Sequence, residues 1–526
     1  MRPLYAGFMR GVERFGSRPA LEAAGRTLTY AELGEQAGAI AATLQREDPP
    51  DPQLTAVFAY RTPVAFAGVQ GALMAARGYV PLDRTYPVDR TRRMLERVGC
   101  SSIVCDTASA EQLPEVLAGL EGARLVLAPD HPDPAALAAR LPGHRVLGAG
   151  DLAPATAWTA PDVEPDALAY VLFTSGSTGT PKGAMVTNAN LRHYADRMAE
   201  RYAPAEDDRF SQVNELAFDI SVYELFVAWE GASCLCCPSR RTLIKPGRWI
   251  REAQLTQWFS VPSTAVFMRR LGELKPGSYP TLRHSQFGGE RFPLDVALAW
   301  LEAAPNGVLE CVYGPTETTV VCSQHVFDPI TSPPLCEGGI LPIGDPVPGL
   351  GLVVVDDELH EVAAGAVGEL IVGGPQVSRG YIGDPERTAR SFVVPPGRNA
   401  VHYRTGDRVR RPVADGPFVF VGRVDDQIQV FGERIELGEV EDALRRASGI
   451  DAVAAIGWPM GPAGPTGVEG FVGSEQIDVD ELRAKLRGTL LGHMVPRRIH
   501  ALAELPRNAN GKIDRRELAN RLEATS

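Results

Sequence analysis

Short apolar runs of strand length alternate with helix-length segments along most of this 526-residue chain. Clear examples of the apolar runs are LTAVFAY, SSIVCD, ARLVLA, ALAYVLFT and LIVGG. This alternation predicts an α/β fold with mixed or parallel sheets. Since the chain is too long for one hydrophobic core, we expect at least two domains.

The pattern changes after the segment YRTGD at 403–407. Segment 418–444 is typical of two short strands followed by a helix, and a further α/β pattern continues to the end of the chain. We therefore predict a large domain over 1–424 and a small α/β domain over 425–526. Near the start of the chain, Thr29 followed by Glu32 predicts a capping box that begins a helix.

The charge of the chain limits its partners. A net charge of −12 argues against general binding to nucleic acid or to an anionic membrane surface. No run approaches the roughly 18 apolar residues that a membrane helix needs, and the first residues lack a signal-peptide core, so we expect a cytoplasmic protein. Cys234, Cys236 and Cys237 are predicted to be buried thiols, because no second CxxC or His pair completes a metal site.

The segment TSGSTGTPKG at 174–183 follows an apolar, strand-like run. Glycines and small hydroxyl residues let backbone N–H groups approach an anion, and the hydroxyls add donors. The segment is not a Walker A loop, because Lys182 lies between Pro181 and Gly183. Composition alone leaves two interpretations, a phosphate-binding loop and a flexible surface loop.

Nine motifs in one order favour the phosphate-binding interpretation. They resemble those of the adenylate-forming (AMP-binding) superfamily, which includes acyl-CoA synthetases, luciferases and the adenylation domains of non-ribosomal peptide synthetases. The resemblance covers nearly the whole chain and implies that a carboxylic acid is joined to the α-phosphorus of ATP, with Mg²⁺ as cofactor. The motifs are LTYAEL, GYVPLDRTYP, TSGSTGTPKG, FDISVYE, YGPTET, GELIVGGPQVSRGY, YRTGD, GRVDDQIQVFGERIELGEVE and NGKIDR.

The resemblance implies a set of nucleotide-binding residues. Asp407 is implied to accept both ribose hydroxyls through its two oxygens. The other residues implied to bind the phosphates, the adenine or the ribose are Thr174, Ser175, Gly176, Thr178, Lys182, Gly288, Gly289, Glu290, Tyr313, Gly314, Arg423 and Arg434.

The resemblance also implies a catalytic set. Lys512 is implied to bridge the substrate carboxylate and the α-phosphate, and Thr316 to bond the α-phosphate. Glu317 resembles the Mg²⁺ ligand, a hard oxygen for a hard cation. Asp425 resembles the hinge about which the small domain rotates after adenylation. Gln429 departs from the pattern, because many relatives have a lysine there.

Asp219 bears on the class of substrate. It precedes a predicted helix in FDISVYELFVAWEG and could simply cap that helix. In amino-acid-activating members an aspartate at this position pairs with the substrate α-ammonium, and acyl-CoA synthetases and aryl-acid activators generally lack it. A buried carboxylate here favours an amine-bearing substrate, because leaving it unpaired is costly.

The predicted side-chain pocket carries no charge. Tyr223 and Ile220 are expected to fill space, which favours alanine, glycine or serine. If Tyr223 instead turned aside, a larger aliphatic group would fit. The predicted substrate-binding residues are Phe218, Asp219, Ile220, Tyr223, Ser260, Gln286, Gly288, Val312, Val320 and Val321.

The acceptor of the activated amino acid is predicted to be another polypeptide. The sequence has neither an LGGxS carrier motif nor an HHxxxDG condensation motif. The resemblance then implies a stand-alone enzyme of antibiotic or other natural-product biosynthesis. It would use the phosphopantetheine thiol of a separate carrier protein, or the amine of an aminoacyl group on a carrier. The alternatives are an acyl- or aryl-CoA ligase, which Asp219 argues against, and an inactive binding paralogue, which Lys512, Glu317 and Asp407 argue against.

Overall fold

The computed structural model describes residues 1–47, 53–176, 181–414, 416–508 and 513–525. The fold is α/β, with a large N-terminal domain and a smaller C-terminal domain, which confirms the predicted fold class. The exact boundary near Asp425 stays a prediction. Among the described helices, none has both the length and the apolar character needed to cross a bilayer.

The first sheet has seven strands, parallel except for the last pair. Several of its inner strands are buried along their whole length, as expected for a parallel sheet covered on both faces. In spatial order the strands are Arg145–Gly148, Leu125–Ala128, Ser102–Cys105, Leu54–Phe58, Gly78–Leu82, Leu168–Thr174 and Lys182–Thr187.

The second sheet has nine strands, with a parallel centre and antiparallel pairs at both edges. In spatial order they are Asp345–Pro346, Ser323–Val326, Val308–Tyr313, His284–Gly288, Gln257–Ser260, Arg209–Ser211, Cys234–Cys236, Pro19–Ala23 and Arg26–Thr29. A third, antiparallel sheet joins Gly351–Val355, Val367–Gly373, His402–Arg410, Phe392–Val393 and Val419–Arg423.

Helices cover the sheets of the large domain. Thr29 and Glu32 form the predicted capping box, because the Thr29 N–H donates to Glu32 Oε2 over 2.8 Å and the Glu32 N–H donates to Thr29 Oγ1 over 3.2 Å. The α-helices are Ala6–Phe15, Tyr30–Glu47, Pro63–Met74, Val88–Val98, Thr107–Ala110, Leu113–Leu117, Pro134–Arg140, Asn188–Tyr202, Ile220–Glu230, Pro246–Glu252, Pro262–Arg270, Leu294–Ala303 and Pro385–Ser391. Short 3₁₀ turns lie at Ala149–Asp151, Ala155–Ala157, Thr242–Ile244, Thr316–Thr318 and Pro333–Leu335.

The small domain begins with a hairpin of Gln427–Val430 and Glu433–Glu436. A three-stranded sheet of Val453–Gly457, Val468–Val472 and Arg498–Ala501 follows, with a short hairpin of Met460–Gly461 and Gly464–Pro465. Its helices are Leu437–Ser448, Val479–Arg487 and Arg515–Thr525.

One core cluster of the large domain packs around aromatic side chains. Trp300 has no exposed surface, and its ring centroid lies 4.7 Å from that of Phe287 and 5.9 Å from that of Trp258. Cys234 and Cys236 belong to the same cluster, and Cys237 is buried nearby, so the prediction of buried thiols is confirmed.

Replacing Trp300 by alanine tests this packing. We expect Trp300→Ala to destabilise the large domain by about 3–5 kcal/mol, because it leaves a cavity between Phe287 and Trp258. Leu298→Ala, on the exposed side of the same helix, is the control and should cost far less. Urea unfolding followed by tryptophan fluorescence measures both, and equal losses would contradict the assigned packing.

Candidate active site

A cavity of about 450 Å³ lies where the first and second sheets meet the third sheet and the small domain. Strands Leu168–Thr174, His284–Gly288 and Val308–Tyr313 all end at it. Parallel strands carry their connecting loops at one edge of a sheet, which is where open α/β sheets bind ligands. The predicted residues that line the cavity are Thr174, Ser175, Phe218, Asp219, Ile220, Gly288, Gly289, Glu290, Val312, Tyr313, Gly314, Thr316, Val320, Val321, Asp407, Arg423, Asp425 and Arg434.

Glu317 lies just behind the cavity wall and has no exposed surface. The Tyr381 hydroxyl donates to its Oε1 over 2.6 Å, Lys182 Nζ lies 3.4 Å from Oε1, and Arg434 Nη1 lies 3.2 Å from Oε2. Burial alone would raise the pKa of Glu317, but the Arg434 and Lys182 cations and the Tyr381 hydroxyl hold it well below its usual range. The carboxylate is therefore ionised.

Lys182 is the cation on the large-domain side of this cluster. Burial, followed by the charge of Arg434, lowers the pKa of Lys182 to about 8, against the raising effects of Glu317 and Glu436. Its ammonium lies 3.9 Å from Glu436 Oε1 and 5.4 Å from the centre of the Tyr381 ring. Lys182 stays mostly charged at neutral pH, at the base of the predicted phosphate loop.

In the described structure, none of the hydrogen-bond partners of the Asp219 carboxylate is positively charged. It directly precedes helix Ile220–Glu230, but its side chain makes no capping hydrogen bond and instead accepts one from the Thr316 hydroxyl over 2.7 Å. Burial raises the pKa of Asp219 to about 6, although the bond from Thr316 acts in the opposite direction. An ammonium group placed beside it would supply the missing charge.

Asp407 lies opposite, at the predicted ribose position. Its Oδ2 accepts a hydrogen bond from the Tyr313 hydroxyl and its Oδ1 accepts one from Arg423, which also donates to Asp425 over 2.6 and 2.8 Å. Each carboxylate oxygen keeps a second lone pair for a ligand hydroxyl. Gly314, next to Tyr313, has no room for a side chain, because a Cβ there would lie 2.3 Å from the Val320 carbonyl oxygen.

The predicted phosphate loop contacts the small domain. Ser175 Oγ donates to the Arg434 carbonyl over 2.6 Å, and the Gly176 N–H donates to Glu439 Oε2 over 3.2 Å. Arg90 of the large domain also donates to Glu439, over 2.7 Å. These bonds hold the hairpin of the small domain against the loop.

Two predicted residues, Thr178 and Lys512, lie outside the described part of the chain. On the small domain, Arg507 pairs with Ile513 in an isolated bridge, and neither lines the cavity. The small domain presents its first hairpin, including Gln429, to the cavity. Lys512 therefore remains a predicted catalytic residue.

Three predicted pocket residues, Tyr223, Ser260 and Gln286, lie behind the cavity wall. The ring centroid of Tyr223 is 5.6 Å from that of Tyr202 and 5.3 Å from that of Phe259. Ser260 Oγ accepts a hydrogen bond from Trp258 Nε1 over 3.0 Å, on the opposite face of its strand from Phe259. Phe259 lines the cavity and, like Tyr381 and Glu439, was not predicted.

The Glu290 carboxylate accepts hydrogen bonds from two backbone N–H groups. Its Oε2 accepts from Ser263 over 2.9 Å, and its Oε1 accepts from Gly432 of the small domain over 2.7 Å. Glu290 was predicted for the adenine slot, and its carboxylate joins the two domains at the edge of that slot.

Sequence-family comparisons match most of the chain. Residues 8–382 match the family model described as AMP-binding enzyme, and residues 439–512 match the AMP-binding enzyme C-terminal domain. The AMB antimetabolite synthetase AmbB of Pseudomonas aeruginosa is 33% identical over 97% of this chain and 38% of its own length. Tyrocidine synthase 3 of Brevibacillus parabrevis is 31% identical over 98% of this chain and 8% of its own length. The chain thus spans less than half the length of these two curated relatives.

Solved structures of similar size also match. The Vibrio cholerae adenylation domain AlmE, solved in complex with glycyl-adenosine-5'-phosphate, has a TM-score of 0.88 and 26% identity, covering 99% of this chain and 98% of its own. IdnL7 has a TM-score of 0.73 and 32% identity, with the same coverage of both chains.

The raised pKa of Asp219 predicts a cost in stability. Because the folded-state pKa of about 6 exceeds the ordinary value of 3.8, stability falls as pH rises through this window. We expect Asp219→Asn, which can still accept the Thr316 bond, to raise the thermal midpoint at pH 7.5 by about 2 °C. The gain should shrink as the pH is lowered toward 5.

Scanning fluorimetry at both pH values measures this effect. Asp207→Asn, at an exposed site, is the control and should leave the midpoint unchanged. A midpoint that Asp219→Asn lowers at pH 7.5 would show that the ionised carboxylate stabilises the fold.

Proposed function

The chain belongs to the AMP-binding enzyme family, and from this membership we propose that it activates a small neutral α-amino acid with ATP. It is an AMP-forming amino-acid ligase of non-ribosomal peptide or related natural-product biosynthesis. The observation that carries the proposal is the Asp219 carboxylate, which shares one cavity with the phosphate loop, Tyr313 and Asp407.

The substrate α-ammonium binds beside Asp219. A carboxylate removed from water is costly unless a positive charge or hydrogen bonds compensate it. The bonds from the Thr316 hydroxyl and the Ile220 backbone, together with the Arg434 charge, do not offset the burial of Asp219. An amino acid bound there places its own carboxylate near Thr316, at the border with the nucleotide site. A fatty or aryl acid would leave Asp219 without a counter-charge, which argues against the CoA-ligase alternative.

The nucleotide occupies the other half of the cavity. Tyr313 and the neighbouring Gly288 and Gly289 bind the adenine, and Asp407 binds the ribose hydroxyls. Ser175 and Lys182 bind phosphate oxygens. Arg434 and Arg423 add positive charge on the small-domain side.

In the chemical step, a carboxylate oxygen of the amino acid bonds to the α-phosphorus, and the bond to the β-phosphate oxygen breaks as pyrophosphate leaves. Two anions meet, so positive groups that face the developing charge dominate the rate. Lys512 is proposed for this role, and the Thr316 hydroxyl, which has one proton, would exchange its bond to Asp219 for one to the α-phosphate. Glu317, an ionised hard-oxygen donor, suits Mg²⁺, which when bound would neutralise charge on the phosphates.

The side-chain pocket favours a small neutral residue. Ile220, Phe259, Val312, Val320 and Val321 give it an uncharged, branched lining. Tyr223 does not line the cavity, which matches the alternative prediction of a pocket for a larger aliphatic group. Phe259 lines the cavity in its place and restricts the space. The glycyl adenylate in AlmE supports the small-substrate choice.

The aminoacyl group is then passed to a carrier-bound nucleophile, either a phosphopantetheine thiol or the amine of an aminoacyl group. The relatives support a role in natural-product biosynthesis, because they include a tyrocidine synthase and an antimetabolite synthetase. The small-domain hairpin contacts Ser175 and Gly176 of the proposed phosphate loop, and the small domain is proposed to rotate between the two half-reactions. Asp425, bonded to Arg423 at the start of the small domain, is proposed as the hinge.

Pyrophosphate exchange into ATP tests the first half-reaction. We measure it with the twenty amino acids and with a few aryl and fatty acids, and expect the maximum with alanine, glycine or serine. Asp219→Ala should reduce exchange with the best amino acid by roughly 10²-fold or more, because a hydrogen-bonded charge pair is lost. Asp207→Ala is the surface control.

The outcomes separate the candidate functions. Exchange only with acids that lack an amine would move the protein to the CoA-ligase class. A maximum with a large or charged amino acid would keep the reaction and contradict the pocket assignment. No acid-dependent exchange at all would favour the inactive paralogue.

Lys512 can be tested separately. Lys512→Ala should slow adenylate formation by roughly 10²–10³-fold, because a cation that faces the transition-state charge is removed. ATP binding, measured by calorimetry, should change little. Lys275→Ala, an exposed lysine of the large domain, is the control, and a Lys512→Ala enzyme with normal adenylation would refute the role.

A further inference from the structure

Glu433 is a cavity-lining carboxylate that the proposed adenylation step does not use. It begins the second strand of the small-domain hairpin and lines the same cavity as Asp219 and Thr316. Its neighbours fix it there, because the Gly432 N–H bonds Glu290 and Arg434 reaches Glu317. The Glu433 side chain is 38% exposed, so it is open to a ligand in the cavity.

The charges around Glu433 do not commit it to an ion pair. His493 Nε2 lies 3.9 Å from Glu433 Oε2. Burial, followed by the charge of Arg90, lowers the pKa of His493 to about 4, so the imidazole is neutral at physiological pH. Arg90 itself forms an ion pair with Glu439 at 2.7 Å, so the Glu439 carboxylate compensates much of the Arg90 charge.

The remaining groups that act on Glu433 are mostly acidic. Partial burial, and then the charge of Glu215, raise the pKa of Glu433 above its usual value. Arg90 opposes this shift, and Tyr86 also lies within electrostatic range. The titratable or charged groups within electrostatic range of Glu433 are Asp83, Tyr86, Arg90, Glu215, Asp219 and His493. The carboxylate therefore takes up and releases a proton at a higher pH than an ordinary glutamate.

We propose that Glu433 is the general base of the transfer half-reaction, accepting the proton of the nucleophile that attacks the aminoacyl-adenylate. This inference rests on the proposed function. The sulfur or nitrogen of the acceptor forms a bond to the carbonyl carbon, and the carbon–oxygen bond to the phosphate breaks. Its electron pair leaves with AMP, and the S–H or N–H proton passes to a Glu433 carboxylate oxygen.

The ordinary pKa of the acceptor explains why a base is needed. A free thiol has a pKa of about 8.5 and is mostly protonated at neutral pH. Thiolate is then scarce, and a thiol needs to lose its proton as it attacks. An ammonium acceptor also has to lose a proton before it can attack. Either acceptor therefore benefits from a carboxylate base in the cavity, such as Glu433.

The test compares the two half-reactions of the full-length Glu433→Gln enzyme. Pyrophosphate exchange reports folding and adenylation without any acceptor. Rapid-quench transfer from preformed aminoacyl-adenylate uses two probes, the thiol N-acetylcysteamine and the amine of glycyl-N-acetylcysteamine. We expect the ratio of transfer to exchange to fall roughly 10²-fold, the usual scale of general-base catalysis.

Two further variants separate a chemical role from a structural one. Glu433→Asp keeps a carboxylate and should recover about tenfold of the lost transfer rate. Glu475→Gln, at an exposed site of the small domain, should match the wild type in both half-reactions. The wild-type transfer rate should rise with pH and level off above the raised pKa of Glu433, and Glu433→Gln should lack this step.

Each outcome decides the proposal. A loss of transfer with either probe supports it, and a loss with only one probe identifies the acceptor class. Unchanged transfer rates and an unchanged pH profile in Glu433→Gln would overturn it, as would equal losses of exchange and transfer. A wild-type enzyme without amino-acid-dependent exchange would instead contradict the proposed function.

Discussion

The buried Glu317 carboxylate determines how the parts of this molecule fit together. An ionised group without solvent needs compensation, and three separate parts of the chain supply it. Lys182 comes from the strand after the phosphate loop, Tyr381 from the segment after the third sheet's second strand, and Arg434 from the small domain. If the small domain rotates, Glu317 loses Arg434 and needs another positive charge, which is the situation that suits ligation of a divalent cation.

The topology brings the remaining groups to the same place. The parallel strands of the first two sheets end at the cavity, so loops far apart in sequence lie side by side. The third sheet adds Asp407, whose carboxylate binds both Tyr313 of the second sheet and Arg423 on the neighbouring strand of the third sheet. The site is thus built at a junction of sheets, and its geometry depends on their contacts as much as on any single motif.

Local rules predicted much of this from the sequence. The capping box of Thr29 and Glu32 needs only neighbouring residues, and the α/β class follows from the alternating pattern. The residues of the side-chain pocket were harder to predict. Tyr223 packs against Tyr202 behind the cavity, and Phe259, paired in register with Gln286, forms part of the cavity wall. Strand alternation says which residues share a face but not which face meets the cavity. Contacts across the domains, such as Glu290 with Gly432, have no local signal at all.

Three cations of the site are already paired with carboxylates, and this affects how a chain with net charge −12 would hold the proposed nucleotide. Lys182 lies between Glu317 and Glu436, Arg434 bonds Glu317, and Arg423 bonds Asp407. Phosphates that enter must therefore exchange one partner for another instead of meeting free charges. Because Arg434 belongs to the small domain, the phosphates and Glu317 compete for a cation whose position depends on the domain arrangement. If the small domain moves as proposed, nucleotide binding and that movement are coupled through the same ion pairs.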